Sequence, residues 1–150
     1  MESIANDLNN IIDKHLSALQ FISEEKYTFK SSPAKWSKKE ILGHLIDSAQ
    51  NNIRRFIVAQ YEERPKVVYN QDKWVMIANY QHYNLPDLIS LWYLLNKHIC
   101  HILRYMTPEL SERQCQTENV HSIQWLAKDY IRHLRHHLNQ VLDLETVPYP

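Results

Sequence analysis

Two histidines near the C-terminal end of the sequence have the spacing of a metal site. His133 and His137 are four residues apart, so on a helix their side chains lie on neighbouring turns of one face and can reach one ion. The histidines of a zinc-binding H-E-x-x-H helix have the same spacing. The narrow line that they form along the helix also carries Leu126, Tyr130, Val141 and Leu144. Nine histidines in 150 residues can also produce such a pair by chance, as ordinary hydrogen-bonded residues at the edge of the core.

A third imidazole is needed, because two histidines make half of a metal site. His44 is the candidate, and it opens a polar line along its helix that consists of His44, Ser48, Asn51 and Arg55. The apolar side of the same helix consists of Leu42, Ile46, Ala49, Ile53 and Phe56. The polar line is therefore either a solvated face or the wall of a wet cavity inside a bundle, and periodicity leaves both possibilities open.

The other six histidines are predicted to lie outside the site. His136 is rotated to the flank of the last helix, and His15 is expected to pack near the core face of the first helix. The rest lie off the buried stripe of their helix, or in or beside loops: His98, His101, His82 and His121.

Apolar residues spaced three or four apart predict four long amphipathic helices. The spacing places the first helix over about residues 3–24 and the second over 38–60, and the third and the last over 85–106 and 123–144. Shorter helical turns are expected near residues 70–77 and 107–110, and residues 114–117 are predicted to form a polar connection.

The starts of these helices carry capping signals. Ser37 and Glu40 can form a capping box, Asn84 precedes Pro86 in the first turn of the third helix, and Ser122 can cap the last helix. Four such helices joined by short linkers predict an all-α four-helix bundle, with short extra helical turns in the connections. We expect a single domain over residues 1–150.

Composition excludes several other classes of protein. A single glycine disfavours tight hairpins, sheet-rich folds and nucleotide-binding loops. Lysine plus arginine and aspartate plus glutamate both total 17, so no global field favours nucleic acid. Two cysteines suggest a reducing compartment. No stretch has the length and apolarity of a membrane span or a signal peptide, so we expect a cytoplasmic protein without membrane contact.

Two segments resemble the DinB/YfiT-like superfamily. Residues 41–49, ILGHLIDSA, followed by Asn51-Asn52 and by Arg55-Phe56, are similar to the second-helix motif of that family. Residues 130–141, YIRHLRHHLNQV, resemble its last-helix pattern. Lesser similarities lie in the expected order at Trp36-Ser37, residues 70–74 and residues 106–110.

The resemblance implies a four-helix bundle, often homodimeric, in which His44, His133 and His137 hold a divalent ion, zinc or nickel foremost. Members of the branch with an H-x-x-D-S motif include thiol S-transferases that use bacillithiol or another low-molecular-weight thiol. Many other members of the superfamily have no known activity.

Three neutral imidazoles leave open positions on a divalent ion, and a thiol that binds there is deprotonated. The hypothesis is that the resulting thiolate attacks an electrophilic small molecule. Arg55 or Asn51 is predicted to hold the carboxylate of the thiol, and Asp47 to orient a ligand histidine.

Two other functions are compatible with the same residues. One is a metal-dependent hydrolase that uses hydroxide in place of thiolate, and the other is a metal-binding or small-molecule-binding bundle without turnover. Trp74, Trp92 and Trp125 are interpreted as ordinary core residues and not as pocket walls.

Overall fold

The structure is a computed structural model that describes residues 1–145 and 148–149. The predicted domain also included Thr146, Val147 and Pro150, which lie outside the described residues. Four long helices are present: α1 Glu2–Phe21, α3 Lys38–Val58, α5 Leu85–Arg104 and α7 Ile123–Val141. The connections contain α2 Glu24–Thr28, α4 Gln71–Ala78, a 3₁₀ turn Tyr80–His82, α6 Pro108–Ser111, and strands β1 Gln114–Gln116 and β2 Val120–Ser122.

The four long helices form a bundle around one apolar core. Helix α3 packs along both α5 and α7, and α1 packs along α5 and also contacts α7. Leu8, Leu45, Trp92 and Leu134 are fully buried between them. The predicted all-α four-helix bundle is therefore confirmed. Within the described residues, no helix is both long and apolar enough to cross a membrane.

All four long helices end earlier than predicted. The first helix was expected to reach residue 24, but Ile22 adopts an extended conformation and Ser23 caps the separate helix α2. The last helix was expected to reach Leu144, but the backbone leaves the helix at Leu142 and Asp143 has a positive φ of 54°. Helices α3 and α5 end two residues early, within the usual fraying of helix ends.

The predicted caps are present at the three helix starts. The Ser37 side chain accepts from the Glu40 amide, and the Glu40 carboxylate accepts from the Ser37 amide at 2.7 Å. Asn84 and Ser122 accept from the amides of Asp87 and Trp125 in the same way. Each cap satisfies amides that have no partner inside their helix, which fixes where α3, α5 and α7 begin.

A small antiparallel hairpin replaces the predicted polar connection after α6. Strand β1 pairs with β2, with Cys115 opposite His121. The low glycine content argued against hairpins, but residues 117–119 turn without a positive φ, so this loop does not require glycine. The hairpin also binds a second segment, since Gln116 exchanges backbone hydrogen bonds with Pro65 and Val67.

The polar line of α3 is buried and is not a solvated face. His44, Ser48 and Asn51 are at most 5% exposed, and Leu42 and Ile46 on the other side of the helix are fully buried. The reason is that α3 is enclosed by α5 and α7 and is also contacted by α2, α4 and the 3₁₀ turn. The helix therefore directs polar groups as well as apolar ones into the protein interior.

The single glycine of the chain allows the 3₁₀ turn to approach α3. A Cβ atom at Gly43 would lie 2.1–2.6 Å from three ring atoms of Tyr80. The Tyr80 hydroxyl donates to Asp47 Oδ1 on the same helix at 2.5 Å. The tyrosine ring thus lies directly on the α3 backbone, with its hydroxyl one turn further along.

Gly43→Ala is expected to destabilise the protein, although alanine is the better helix former. Helix propensity alone would stabilise the variant by about 1 kcal/mol. Displacement of the packed Tyr80 ring is expected to cost more, so we predict a net loss of about 1–3 kcal/mol in the free energy of unfolding. Urea denaturation measures this value.

A second background isolates the cause of this loss. In Tyr80→Ala protein, which lacks the clashing ring, adding Gly43→Ala should be neutral or stabilising. An equal loss in both backgrounds would show that the Tyr80 contact is not responsible.

Candidate metal centre

The structure brings the three predicted ligand histidines together between α3 and α7. One ring nitrogen from each of His44, His133 and His137 lies within 4.8 Å of the other two. The Nε2 atoms of His44 and His133 are 2.9 Å apart. The ring centroids are 4.6–4.9 Å apart in all three pairs, and the rings meet edge to face.

Helix packing explains this convergence. His133 and His137 occupy successive turns of α7, between residues such as Tyr130 and Leu134 that are buried. His44 lies on the side of α3 that faces α7, because α3 runs along that helix as well as along α5. The i, i+4 pair therefore faces the third ring across a single helix interface.

Burial keeps these rings neutral. It lowers the pKa of His44 to about 3, with a smaller contribution from the nearby His137. The pKa of His133 also lies well below its usual range, chiefly through burial. Burial lowers the pKa of His137 too, against the hydrogen bond with Gln140, which acts in the opposite direction. A neutral imidazole has a free lone pair, which is the form that binds metal.

Two side chains orient the rings from behind. The Nδ1–H of His137 donates to Gln140 Oε1 at 2.8 Å, which leaves its Nε2 lone pair available. Ser48 Oγ lies 3.4 Å from His133 Nδ1. The buried Nδ1 of His44 has no hydrogen-bond partner among the described residues.

The donor set fits a divalent ion. Without one, three neutral rings face one another and can share a proton only pairwise, as His44 and His133 do. An ion would accept a lone pair from each ring at once, and three imidazoles suit zinc, nickel, copper or iron. The ligand roles of the three histidines remain predictions that this geometry supports.

Asp47 and Asn51 are not where their predicted roles require. The carboxylate of Asp47 accepts from Tyr80 and not from a ligand histidine, and its Oδ2 has no partner within the described part of the chain. Burial raises the pKa of Asp47 to about 6, against the effect of the Tyr80 hydrogen bond. The side chain of Asn51 donates to the Asp47 carbonyl oxygen at 2.9 Å. The positions behind the ligand rings belong to Ser48 and Gln140 instead.

Arg55 lines a cavity of about 550 Å³ that reaches His133. We call it the arginine cavity; its walls include Ser48, Asn52, Arg55, Tyr69, Asp129 and Tyr149. Nε and Nη2 of Arg55 both donate to the Val67 carbonyl at 3.2 Å, and Nη1 donates to Asn52 Oδ1 at 3.4 Å. Arg55 forms no ion pair with a carboxylate among the described residues. The wall of the arginine cavity thus contains the guanidinium of Arg55, which forms no ion pair there, together with the carboxylates of Asp72, Glu118 and Asp129.

A second cavity, of about 840 Å³, reaches the cluster at His137. We call it the tryptophan cavity; its walls include Ala34, Trp36, Ile41, Gln140 and Leu144. The Trp36 ring lies 5.1 Å from the His44 ring. Asp72, at the start of α4, borders both cavities. The cluster is therefore approached from two sides.

Some residues around the cluster were not predicted. Gln140 follows His137 by three residues on the same helix, so helical spacing could have identified it. Tyr149 lies in the C-terminal segment, with its ring 5.2 Å from the His133 ring and its hydroxyl donating to Asp129 at 2.8 Å. No pattern in the sequence indicates that contact.

The interpretation of the tryptophans as core residues holds for one of three. Trp92 is fully buried, but Trp74 and Trp125 are 38% and 45% exposed. Trp125 stacks on His121, with ring centroids 3.6 Å apart, and lines the arginine cavity. Periodicity located these residues on helices but did not show which face is covered.

Comparison with known proteins identifies the family. Residues 9–141 match the family model of the DinB superfamily. The chain belongs to the DinB superfamily. It is 33% identical over 115 residues to a protein of Oceanobacillus iheyensis named "Putative metal-dependent hydrolase OB0782". That match covers 73% of this chain and 64% of the relative, so the chain spans a little under two thirds of that protein.

A solved structure has the same fold. YfiT from Bacillus subtilis, described as a probable metal-dependent hydrolase with an unusual four-helix bundle topology, superposes with a TM-score of 0.83. The match covers 94% of this chain and 83% of YfiT at 18% identity. The predicted resemblance to the DinB/YfiT-like proteins is thereby confirmed for family and fold.

Elemental analysis of the purified protein tests the metal centre. We expect about one divalent ion per chain in the wild type and loss of most of it in His133→Ala, because two imidazoles seldom retain an ion that needs three. His101→Ala is the matched control, since His101 is exposed on α5 and contacts Tyr105. Wild-type metal content in a folded His133→Ala protein would contradict the assignment.

Proposed function

We propose that this protein is a metal-dependent enzyme that transfers a low-molecular-weight thiol to an electrophilic small molecule. The observation that carries the proposal is that two separate cavities reach the histidine cluster, one at His133 and the other at His137. A transferase must hold two organic substrates beside one reacting centre. The three-histidine cluster, together with relatives that are named as a putative and a probable metal-dependent hydrolase, supports the broader statement that a divalent ion is involved.

The proposed reaction is a nucleophilic substitution by the thiolate. A divalent ion held by the three histidines would favour the thiolate over the thiol at neutral pH. The sulfur lone pair forms a bond to the electrophilic carbon, the leaving group departs with its electron pair, and the thiol proton passes to solvent. With an aryl chloride, the products are a thioether, chloride and a proton.

The protein contributes orientation and binding. Ser48 and Gln140 hold the rings of His133 and His137 in place. We propose that Arg55 binds the carboxylate of the thiol, because its guanidinium bonds only to neutral oxygens of Val67 and Asn52 among the described residues and a guanidinium forms strong, directed bonds to carboxylates. Asn52 lines this cavity and contacts Arg55, so it takes the place that Asn51 was predicted to have.

Metal-dependent hydrolysis is the second candidate. It is favoured by the names of OB0782 and YfiT, both of which refer to a metal-dependent hydrolase. Hydrolysis needs one organic substrate, since water replaces the thiol. Homodimer formation, which the family resemblance implies, stays a prediction for either reaction.

Product analysis separates the two reactions. Metal-loaded protein is incubated with 1-chloro-2,4-dinitrobenzene, with and without a thiol, and the products are identified by mass spectrometry. We expect a thioether that forms only with thiol, and no enzymatic reaction in His44→Ala or in metal-stripped protein. Dinitrophenol formed at the same rate without thiol would favour hydrolysis, and turnover in stripped protein would exclude both metal mechanisms.

Arg55→Gln tests the carboxylate contact with a pair of thiols. Loss of a charge-assisted hydrogen bond typically costs about 1.5–3 kcal/mol, so we expect KM for 3-mercaptopropionate to rise by about 10–100-fold. KM for 2-mercaptoethanol, which has no carboxylate, should change little. Equal increases for both thiols would assign Arg55 a structural role, through its bonds to the Val67 carbonyl.

A further inference from the structure

The tryptophan cavity has an aromatic wall next to the metal centre. Trp36 immediately precedes Ser37, the cap of α3, so its position is fixed by the start of that helix. Its ring packs against His44 at 5.1 Å with a 38° tilt between the planes. Trp36 is half-buried and lines the cavity, so part of the indole remains available to a ligand.

The residues around this wall suit an apolar group. Ala34, Ile41 and Leu144 contribute aliphatic side chains to the same cavity. The other lining residues are polar or charged and include Ser31, Lys35, Asp72, Asn139 and Asp143; Asp143 is paired with Lys38 at 2.6 Å. A cavity of about 840 Å³ falls in the size range of small-molecule sites, which are mostly apolar with a few polar groups.

The two cavities differ in the share of apolar residues in their walls: four of the eleven lining residues of the tryptophan cavity are Ala, Trp, Ile or Leu, against three of the eighteen that line the arginine cavity, Val68, Trp125 and Leu126. The arginine cavity has Arg55 and Asp129 in its wall, together with the hydroxyls of Ser48 and Tyr149. A charged, hydrogen-bonding substrate is better matched to that side. An uncharged planar group is better matched to Trp36, because aromatic rings stack favourably on indole and the indole of the arginine cavity, Trp125, is already stacked on His121.

The position of the tryptophan cavity also suits the reaction. His137 belongs both to its wall and to the histidine cluster, and Gln140 holds the ring of His137. A ligand stacked on Trp36 would therefore lie beside the cluster at His137, whereas the proposed thiol lies at His133. Asp72 lines both cavities.

We propose that the tryptophan cavity binds the aromatic part of the electrophile, with Trp36 as the stacking wall. The class of substrate is an uncharged, planar aromatic electrophile. This proposal rests on the proposed thiol transfer for its biological meaning, but the binding site itself can be tested without turnover.

The binding test uses 2,4-dinitroaniline, which resembles 1-chloro-2,4-dinitrobenzene but has no leaving group. Equilibrium dialysis measures its Kd with metal-loaded and with metal-free protein. We expect Trp36→Ala to raise Kd by about tenfold and Trp36→Phe to raise it by no more than about threefold, since phenylalanine keeps an aromatic face. Trp74→Ala, which removes an exposed tryptophan that lines neither cavity, should leave Kd unchanged.

The kinetic test separates the two substrates. Trp36→Ala should raise KM for 1-chloro-2,4-dinitrobenzene by about tenfold and leave KM for the thiol nearly unchanged. With chloroacetamide, an electrophile without an aromatic ring, the same variant should behave as the wild type. Metal content is measured for each variant, because Trp36 contacts His44.

The outcomes distinguish this proposal from the proposed function. Equal Kd values for dinitroaniline in wild type and Trp36→Ala, with and without metal, would overturn the aromatic site even if thiol transfer occurs. Trp36-dependent binding without thioether formation from any thiol would support the site and reject the transfer reaction. Equal effects of Trp36→Ala on aromatic and non-aromatic electrophiles would also overturn the proposal.

Discussion

The organisation of this protein depends on three imidazole rings that meet across the interface of α3 and α7. Neutral polar rings at a helix interface cost free energy unless their nitrogens find partners. Gln140, Ser48 and the contact between His44 and His133 meet part of that demand. The buried Nδ1 atom of His44, on the other side of its ring from Nε2, has no hydrogen-bond partner among the described residues. Three neutral rings whose nitrogens converge within 4.8 Å form a donor set that fits one divalent ion, and this convergence distinguishes the cluster from an ordinary histidine pair at the edge of a core.

The connections between the long helices shape the surroundings of this cluster. Tyr80 in the 3₁₀ turn lies on Gly43 and binds Asp47, which closes one side of α3. The hairpin holds the segment at Val67 through backbone hydrogen bonds, and the Val67 carbonyl in turn fixes the guanidinium of Arg55. A bundle of four helices supplies the rings, but two short irregular segments determine what surrounds them.

The sequence predicted those features that depend on local periodicity. Four helices, their caps and the pairing of His133 with His137 follow from residue types and from spacings of three and four residues. The spacing also offered His44 as the third candidate without deciding whether its face is buried, and the family resemblance implied its ligand role. Features that depend on distant segments could not be derived in this way. Asp47 finds its partner 33 residues away in Tyr80, and the hairpin and Tyr149 lie in segments with no periodic signal. Asn51 and Asn52 differ by about 100° around the helix, so the helical wheel alone could not show which of two neighbouring amides faces the cavity.

The two cavities bear on the choice between transfer and hydrolysis. Water needs no cavity of its own, so in a hydrolase one substrate would have to account for both spaces. Such a substrate would pass the Asp72 carboxylate at the border and place a charged part near Arg55 and an apolar part near Trp36. Two separate substrates meet the same walls without crossing that border, and each approaches the cluster at a different histidine. The printed names of the two relatives refer to metal-dependent hydrolysis, whereas the proposed thiol transfer rests on the two cavities, which offer room for two organic molecules beside the cluster.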